Sequence, residues 1–253
     1  MTAFSANLGF LWADRPLPEA IRLAKNAGFD AVECHWPYDV PSDEVKAALR
    51  ETGLPMMGIN TKRGKPDAGD FGLSAVPGRE REAREAILEA MEYAAAIGAG
   101  AVHVMAGNAT GEAAHQTFVE TLQYASRIGQ QNGVNILIEP INAFDAPGYF
   151  LKNTQQAIEI MNTVAAANLG LMFDCYHVGR TEGDVVGTMK RVYPHIGHIQ
   201  FASVPDRGAP DHGEIDYKAV FAAIDELGWD KPLGAEYRPK SSIDQNLGWM
   251  NWL

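Results

Sequence analysis

The chain has 253 residues, of which 46% are hydrophobic, and a formal net charge of −11 with its seven histidines neutral. This composition supports a large buried core and disfavours generic binding to nucleic acid or to anionic membranes. No stretch approaches the roughly 18 apolar residues that cross a bilayer, and residues 1–10 lack the basic segment of a secretory signal. Cys34 and Cys175 lie far apart and in no metal-binding spacing. Together these features favour free thiols and a cytoplasmic protein.

Short apolar runs bounded by turn residues alternate with segments of helical periodicity along the whole chain. The predicted strands are residues 4–10, 30–36, 54–60, 101–105, 134–138, 169–173, 195–201 and 232–235. The predicted helices begin near Pro16, Ser42, Ala83, Gly111, Thr154, Asp184 and Asp216. Ser42 is expected to cap its helix, and four helices are predicted to end at Gly28, Gly53, Gly98 and Gly228.

Eight strand–helix units in about 250 residues predict an α/β fold, a single (β/α)8 TIM barrel that spans residues 1–253. Few residues follow the eighth strand, so a short tail replaces a long last helix, and Trp249 and Trp252 are expected to cover the barrel or an interface. An open doubly wound sheet is the alternative. It usually has a glycine-rich phosphate turn after its first strand, and residues 9–12 do not fit that pattern.

Four oxygen-bearing side chains stand at or just before the ends of the last four predicted strands. They are Glu139, Asp174, Gln200 and Glu236. The carboxyl ends of barrel strands converge, and three carboxylates in one dry pocket repel one another unless a cation is present. Oxygen ligands suit Mg²⁺ or Mn²⁺. Taken singly, each residue also fits an ordinary capping or pairing role.

Several short motifs, spread over nearly the whole chain, carry a family resemblance. The most specific are Ile-Glu-Pro-Ile-Asn at 138–142, Phe-Asp-Cys-Tyr-His at 173–177, Gly-His-Ile-Gln at 197–200, Gly-Glu-Ile-Asp-Tyr at 213–217 and Glu-Tyr-Arg-Pro at 236–239. They resemble the hydroxypyruvate isomerase family. That family lies within the xylose-isomerase-like TIM barrels and is close kin of the 2-oxo-tetronate isomerases.

The resemblance implies roles for individual residues. Glu139, Asp174, Gln200 and Glu236 match the family's metal ligands, and Glu139 and Glu236 also match its two catalytic glutamates. His177 and Arg207 match substrate contacts. His198, which alternates with Gln200 along its strand, and Arg238, two residues after Glu236, are further candidates for substrate binding. A structural role is the competing interpretation for each of these four.

The resemblance implies an isomerase that interconverts hydroxypyruvate and tartronate semialdehyde, a reaction of glyoxylate metabolism. The reaction moves one proton between adjacent carbons through an enediolate and needs an acid, a base and positive charge near the oxyanion. A 2-oxo-tetronate substrate is the first alternative, and a 3-epimerase of free ketoses is the second. A metal-dependent abasic-site nuclease is disfavoured by the net charge, and a small-acid-binding barrel without activity stays open. The expected partner is a small hydroxy-oxo acid, with no nucleic acid or membrane, and the sequence leaves the oligomeric state open, a homo-oligomer included.

Overall fold

The computed structural model describes residues 2–240 and 247–252, with the side chain of Trp252 outside the description. Eight short parallel strands form one sheet. They are β1 (Phe4–Asn7), β2 (Ala31–Glu33), β3 (Ile59–Asn60), β4 (Ala101–His103), β5 (Asn135–Ile138), β6 (Leu169–Asp174), β7 (Ile196–Phe201) and β8 (Leu233–Ala235). The spatial order is β2-β1-β8-β7-β6-β5-β4-β3. β1 therefore pairs with both β2 and β8, which brings the two ends of the chain to the same place in the sheet.

The two edges of this sheet, β2 and β3, approach each other and nearly close the barrel. Val32 forms a parallel bridge with Met56, just before β3. The Val32 amide donates to the Pro55 carbonyl at 3.0 Å, and the Met57 amide donates to the Val32 carbonyl at 2.7 Å. These contacts confirm the predicted barrel. They also explain why the predicted third strand is longer than β3, since residues 54–58 close the sheet without a regular ladder.

Eight helices surround the sheet in the described part of the chain. They are α1 (Leu17–Asn26), α2 (Ser42–Thr52), α3 (Glu80–Ile97), α4 (Glu112–Asn132), α5 (Thr154–Val164), α6 (Cys175–Thr181), α7 (Val185–Val192) and α8 (Tyr217–Glu226). Gly53 and Gly98 end α2 and α3 in the left-handed conformation, as their sequence positions predict. The prediction that Ser42 caps α2 was wrong, because Pro41 holds the N-cap position and no side chain bonds there.

Helix α6 was not predicted. It begins directly after β6, and the Asp174 side chain caps it by accepting a hydrogen bond from the Tyr176 amide at 2.8 Å. Its seven residues are too few to display a clear helical period, so the sequence pattern gave no signal for it. The helix fixes the direction in which the last residue of β6 points.

The tail after β8 packs back onto the barrel. Trp249, in a 3₁₀ turn over Gly248–Trp252, is only 1% exposed. Its ring meets Phe4 of β1 and Phe201 of β7 edge to face, with centroid separations of 4.9 and 5.2 Å. The prediction that Trp249 covers the barrel is confirmed.

Two further sequence-based expectations concern the membrane and the cysteines. Among the described helices, none combines the length and the apolar character that crossing a bilayer requires. Cys34 and Cys175 are both buried free thiols.

Candidate active site

The predicted site residues meet at the carboxyl ends of the strands. Asp174 and Gln200 are direct partners across β6 and β7. Glu139 follows the last residue of β5, and the Glu236 amide donates to the Phe201 carbonyl at the end of β7. All four side chains are buried, as expected where parallel strands converge on the barrel axis.

Three of these four residues each have one buried oxygen without a hydrogen-bond partner in the described part of the chain. The atoms are Glu139 Oε1, Asp174 Oδ2 and Gln200 Oε1. Leaving a buried acceptor unsatisfied costs about 1–3 kcal/mol, and more for a charged one. Ligand oxygens of Glu139 and Asp174 also lie within 4.8 Å of each other. The donor set is therefore one that a hard divalent cation fits.

Glu236 has a different environment, because hydrogen-bond donors surround its carboxylate. Its Oε2 accepts from Arg207 Nη2 at 2.5 Å, and its Oε1 lies 2.9 Å from His35 Nε2 and 3.1 Å from Asn7 Nδ2. Burial alone would raise the pKa of Glu236, but Arg207 and His35 outweigh it and hold the pKa well below its ordinary value. Glu236 is therefore a stable carboxylate anion.

Glu139 and Asp174 lack such compensation. Burial and then the neighbouring charges of Glu236 and Asp174 raise the pKa of Glu139 well above its ordinary value. Burial and Glu236 also raise the pKa of Asp174 to about 8, although Arg207 lies 3.6 Å away. Carboxylates that repel in this way are stabilised as anions when a cation enters the site.

His177 is held in one tautomer by Asn142. The Asn142 backbone amide donates to His177 Nδ1 at 3.2 Å, so Nδ1 must be the acceptor nitrogen and Nε2 must carry the proton. Burial, and then Arg207, keep the pKa of His177 well below its ordinary value. Nε2 lies 3.6 Å from Asp174 Oδ2 and 3.8 Å from Glu139 Oε1. With its proton on Nε2, His177 can donate a hydrogen bond from that nitrogen and cannot bind a metal through it.

Glu33 at the end of β2 was missed by the sequence analysis. It is 4% exposed and accepts hydrogen bonds from Asn7 Nδ2 at 3.0 Å, Gln200 Nε2 at 2.7 Å and His198 Nε2 at 2.6 Å. Glu139 was identified as a carboxylate at the end of a short apolar strand. Glu33 ends the apolar strand Ala31–Glu33 in the same way, so the same pattern could have identified it.

A cavity of about 350 Å³ opens at the carboxyl ends of the strands. Five of the predicted site residues line it, namely Glu139, His177, Arg207, Glu236 and Arg238. The other two predicted metal ligands, Asp174 and Gln200, are buried and are not among the described residues that line it. His198 is not among the described residues that line this cavity; its Nε2 donates to Glu33, and the residue lines a second cavity at the opposite end of the barrel. The structure therefore does not bring His198 to the place where a substrate contact was predicted.

His35 and His103 line the same cavity. His35 bonds Glu236, as described above. Neither ring nitrogen of His103 has a hydrogen-bond partner in the described part of the chain, and Nδ1 lies 3.7 Å from Glu139 Oε2. Burial lowers the pKa of His103 to about 4, so its imidazole is neutral near pH 7. Such a ring can donate one hydrogen bond to a ligand and accept another.

A second cavity, of about 470 Å³, opens at the opposite end of the barrel. It is lined by the first residues of β4 to β7 and by Lys231, and none of its described lining residues is Asp or Glu. TIM barrels carry out their chemistry at the carboxyl ends of the strands, and the buried carboxylates Glu139, Asp174 and Glu236 lie at that end. The smaller cavity is therefore the candidate active site.

Comparison with known proteins agrees with this geometry. A family model described as xylose isomerase-like TIM barrel matches residues 21–252. A 2-oxo-tetronate isomerase of Cupriavidus necator is 41% identical over 99% of this chain and 98% of its own, and hydroxypyruvate isomerase of Escherichia coli is 36% identical over 99% of each.

Two solved structures extend the comparison. The crystal structure of AP endonuclease, family 2, from Brucella melitensis is 33% identical, with a TM-score of 0.95 over 99% of this chain and 98% of that one. The structure of 3-keto-D-glucoside 4-epimerase from E. coli is 19% identical, with a TM-score of 0.81 over 99% of this chain and 98% of that one, and shares the fold. The chain thus belongs to the xylose isomerase-like TIM barrels and, within them, to the family of hydroxypyruvate and 2-oxo-tetronate isomerases.

Proposed function

We propose that the protein is an isomerase of a small hydroxy-oxo acid and that it interconverts hydroxypyruvate and tartronate semialdehyde. The observation that carries this proposal is the placement of two buried glutamates, Glu139 and Glu236, on one small cavity that also holds Arg207. The 36% identical relative from E. coli, which bears the name hydroxypyruvate isomerase, supports it. A 2-oxo-tetronate is the second candidate substrate, favoured by the 41% identical relative from C. necator.

The reaction transfers a proton from C3 of hydroxypyruvate to C2 and a hydroxyl proton from the C3 oxygen to the C2 oxygen. One of the two glutamates removes the carbon-bound proton to form the enediolate, and the other delivers a proton to the neighbouring carbon. The Nε2 proton of His177 donates to a substrate oxygen. Arg207 lies beside both Glu236 and Asp174 and places positive charge where the oxyanion develops.

A divalent cation, Mg²⁺ or Mn²⁺, belongs to the same proposal. Glu139, Asp174 and Gln200 would hold it through their unpaired oxygens, and Glu236 completes the set inferred from the sequence. Such an ion would supply Lewis-acid polarisation of the substrate oxygens. The contribution of the chain is to keep these acceptors buried and unpaired, and to leave His177 as a donor.

A nuclease function is the interpretation that the name of the Brucella protein suggests. It fits this chain poorly, because a net charge of −11 repels the phosphate backbone. The carboxylate-rich cavity is also small, at about 350 Å³, which is near the lower end of the range for small-molecule sites.

The test is proton NMR of hydroxypyruvate in deuterated water with purified protein and Mg²⁺ or Mn²⁺. We expect conversion with deuterium at the acceptor carbon, loss of turnover with EDTA, and a fall of roughly 10²- to 10⁴-fold in Glu139→Gln and Glu236→Gln, the usual size of a general acid–base contribution. His195→Gln, at the opposite end of the barrel, is the control and should retain activity.

Each other outcome has a definite meaning. Turnover of a 2-oxo-tetronate but not of hydroxypyruvate selects the second candidate. Tight binding of both acids without any exchange or turnover refutes catalysis and favours a binding protein. Near-normal activity of Glu236→Gln would rule out the mechanism in which both glutamates transfer protons.

A further inference from the structure

Three arginines line the cavity, and they differ in how far their charge is already neutralised. Arg207 Nη2 lies 2.5 Å from Glu236 Oε2 and 3.6 Å from Asp174 Oδ2. Arg63 and Arg238 have no acidic partner in the described part of the chain. Arg63 is half-buried and Arg238 is exposed. Since solvent screens an exposed charge, Arg63 is the cation best placed to attract an anionic ligand.

Arg63 is positioned by an aromatic platform. Its guanidinium carbon lies 3.9 Å from the ring centroid of Trp36. The Trp36 indole donates to the Thr61 carbonyl at 3.0 Å, and the Thr61 hydroxyl accepts from the Met105 amide at 3.1 Å. Stacking on a ring engages the face of a guanidinium and leaves the N–H groups at its edge free to bind a carboxylate in bidentate fashion.

The loop that carries Arg63, residues 61–79, is fixed at several points. The Gly72 amide donates to the Arg63 carbonyl at 2.9 Å, and Arg79 forms a two-point ion pair with Asp70 at 3.1 and 3.2 Å. Gly72 has a φ of +109°, and a Cβ atom there would lie 2.6 Å from the Met105 carbonyl oxygen. Only glycine fits this close approach, so the loop is held against the barrel and Arg63 is preorganised.

We propose that Arg63, held on Trp36, binds the carboxylate of the substrate and selects anionic acids over neutral sugars of the same size. The inference rests on the proposed function and deepens it by naming the group that recognises the acid. Arg207 then stays with Glu236 and Asp174 at the reacting end of the cavity. The size of the cavity limits the ligand to a short acid, with the carboxylate at Arg63 and the carbonyl end towards Glu139.

The test compares two substrates that share a hydroxyacetyl unit: hydroxypyruvate, which has a carboxylate, and dihydroxyacetone, which is neutral. In Arg63→Met we expect kcat/KM for hydroxypyruvate to fall by about 10- to 100-fold, the range for a lost hydrogen bond to a charged group. The fall should lie mainly in KM, since the contact is the same in ground and transition states. The kcat/KM for dihydroxyacetone should not change. Arg63→Lys should recover part of the loss, because it keeps the charge and loses the bidentate fork.

Lys62→Met is the matched control. Lys62 is the neighbouring cation on the same loop, but it pairs with Glu89 at 2.6 Å and does not line the cavity. Lys62→Met changes the net charge by the same amount as Arg63→Met and should leave kcat/KM for both substrates unchanged. Equal losses for the two substrates in Arg63→Met, or no loss for hydroxypyruvate, would overturn the proposal.

A binding measurement separates this inference from the proposed function. If the wild-type protein converts neither substrate, the isomerase proposal fails, and calorimetric titration with D-glycerate still decides the role of Arg63. The Kd for D-glycerate should rise at least 10-fold in Arg63→Met and stay unchanged in Lys62→Met. Weaker binding of inorganic phosphate with unchanged binding of D-glycerate would assign Arg63 to a phosphate and overturn the carboxylate proposal.

Discussion

Glu33 is the residue on which the buried hydrogen bonds beneath the cavity converge. It accepts from Gln200 Nε2 at 2.7 Å, and this bond determines which end of the Gln200 amide is left without a partner. With Nε2 engaged, Oε1 is the free atom. Glu33 is thus a positioning residue that keeps an oxygen, and not an N–H group, towards the proposed cation.

Replacing Glu33 should therefore weaken cation binding without removing any ligand. We expect Glu33→Ala to raise the Kd for Mn²⁺ by about 10- to 100-fold, the usual effect of losing a residue that orients a ligand. Glu33→Gln should weaken Mn²⁺ binding less. Its amide oxygen can still accept from Gln200, and its amide N–H group can donate to His198 once that ring changes tautomer. Electron paramagnetic resonance of free Mn²⁺ measures both values directly.

Glu182→Ala is the control for this experiment. Glu182 also makes partly buried hydrogen bonds, to the Thr154 amide and hydroxyl at 2.9 Å each, but it lies outside the cavity. Glu182→Ala should lower the stability of the protein and leave the Kd for Mn²⁺ unchanged. An unaltered Kd in Glu33→Ala would mean that Gln200 is not held for a cation.

At the scale of elements, the sequence predicted which strands carry the site but not how the side chains pair. Alternation and turn residues located the ends of β5 to β8, and hence Glu139, Asp174, Gln200 and Glu236. The contacts between these side chains join residues that lie between 26 and 167 positions apart, so they form only once the barrel closes. They are the contact of Arg207 with Glu236 and the hydrogen bonds of Glu33 with Asn7, Gln200 and His198.

The loop between β7 and α8 contains a charge cluster with a pH-dependent contribution to stability. His212 lies 2.7 Å from Asp211 Oδ1 and 2.9 Å from Asp206 Oδ2, and Lys240 also contacts Asp206. Hydrogen bonds to Asp211 and then Asp206 raise the pKa of His212 above its ordinary value of 6.5. Because the folded state holds the proton more tightly, this stabilisation is complete below pH 6.5 and disappears as the pH rises through the raised pKa.

We therefore expect His212→Gln to lower the Tm at about pH 5.5 and to have little effect at about pH 9. The side chain is 41% exposed, so the free-energy difference should be small, on the order of 0.5 kcal/mol. Differential scanning calorimetry at the two pH values measures it. His115→Gln on α4, outside this cluster, is the matched histidine replacement. A His212→Gln effect that grows towards the alkaline pH would contradict the assignment.

At the scale of the whole molecule, closure of the barrel depends on the two ends of the chain. β1 lies between β2 and β8, and the buried Trp249 from the tail packs against this junction. Its ring contacts Phe4, Phe201, Phe29 and Tyr237, and its indole donates to the Tyr237 hydroxyl at 3.2 Å. One side chain therefore joins the first and seventh strands, the segment that follows the eighth strand and the turn between α1 and β2.

Trp249→Ala should consequently destabilise the entire barrel and not only the tail. Removing a fully buried Trp costs about 3–5 kcal/mol of unfolding free energy, because the cavity left behind cannot collapse fully. In a protein of this size that corresponds to a fall in Tm of roughly 10 °C. Phe144→Ala is the matched control, since Phe144 is 72% exposed and its removal should change the unfolding free energy by less than about 0.5 kcal/mol. Urea unfolding followed by circular dichroism should give a single transition shifted to lower urea in Trp249→Ala. A shift no larger than that of Phe144→Ala would mean that the eight strands close without the tail.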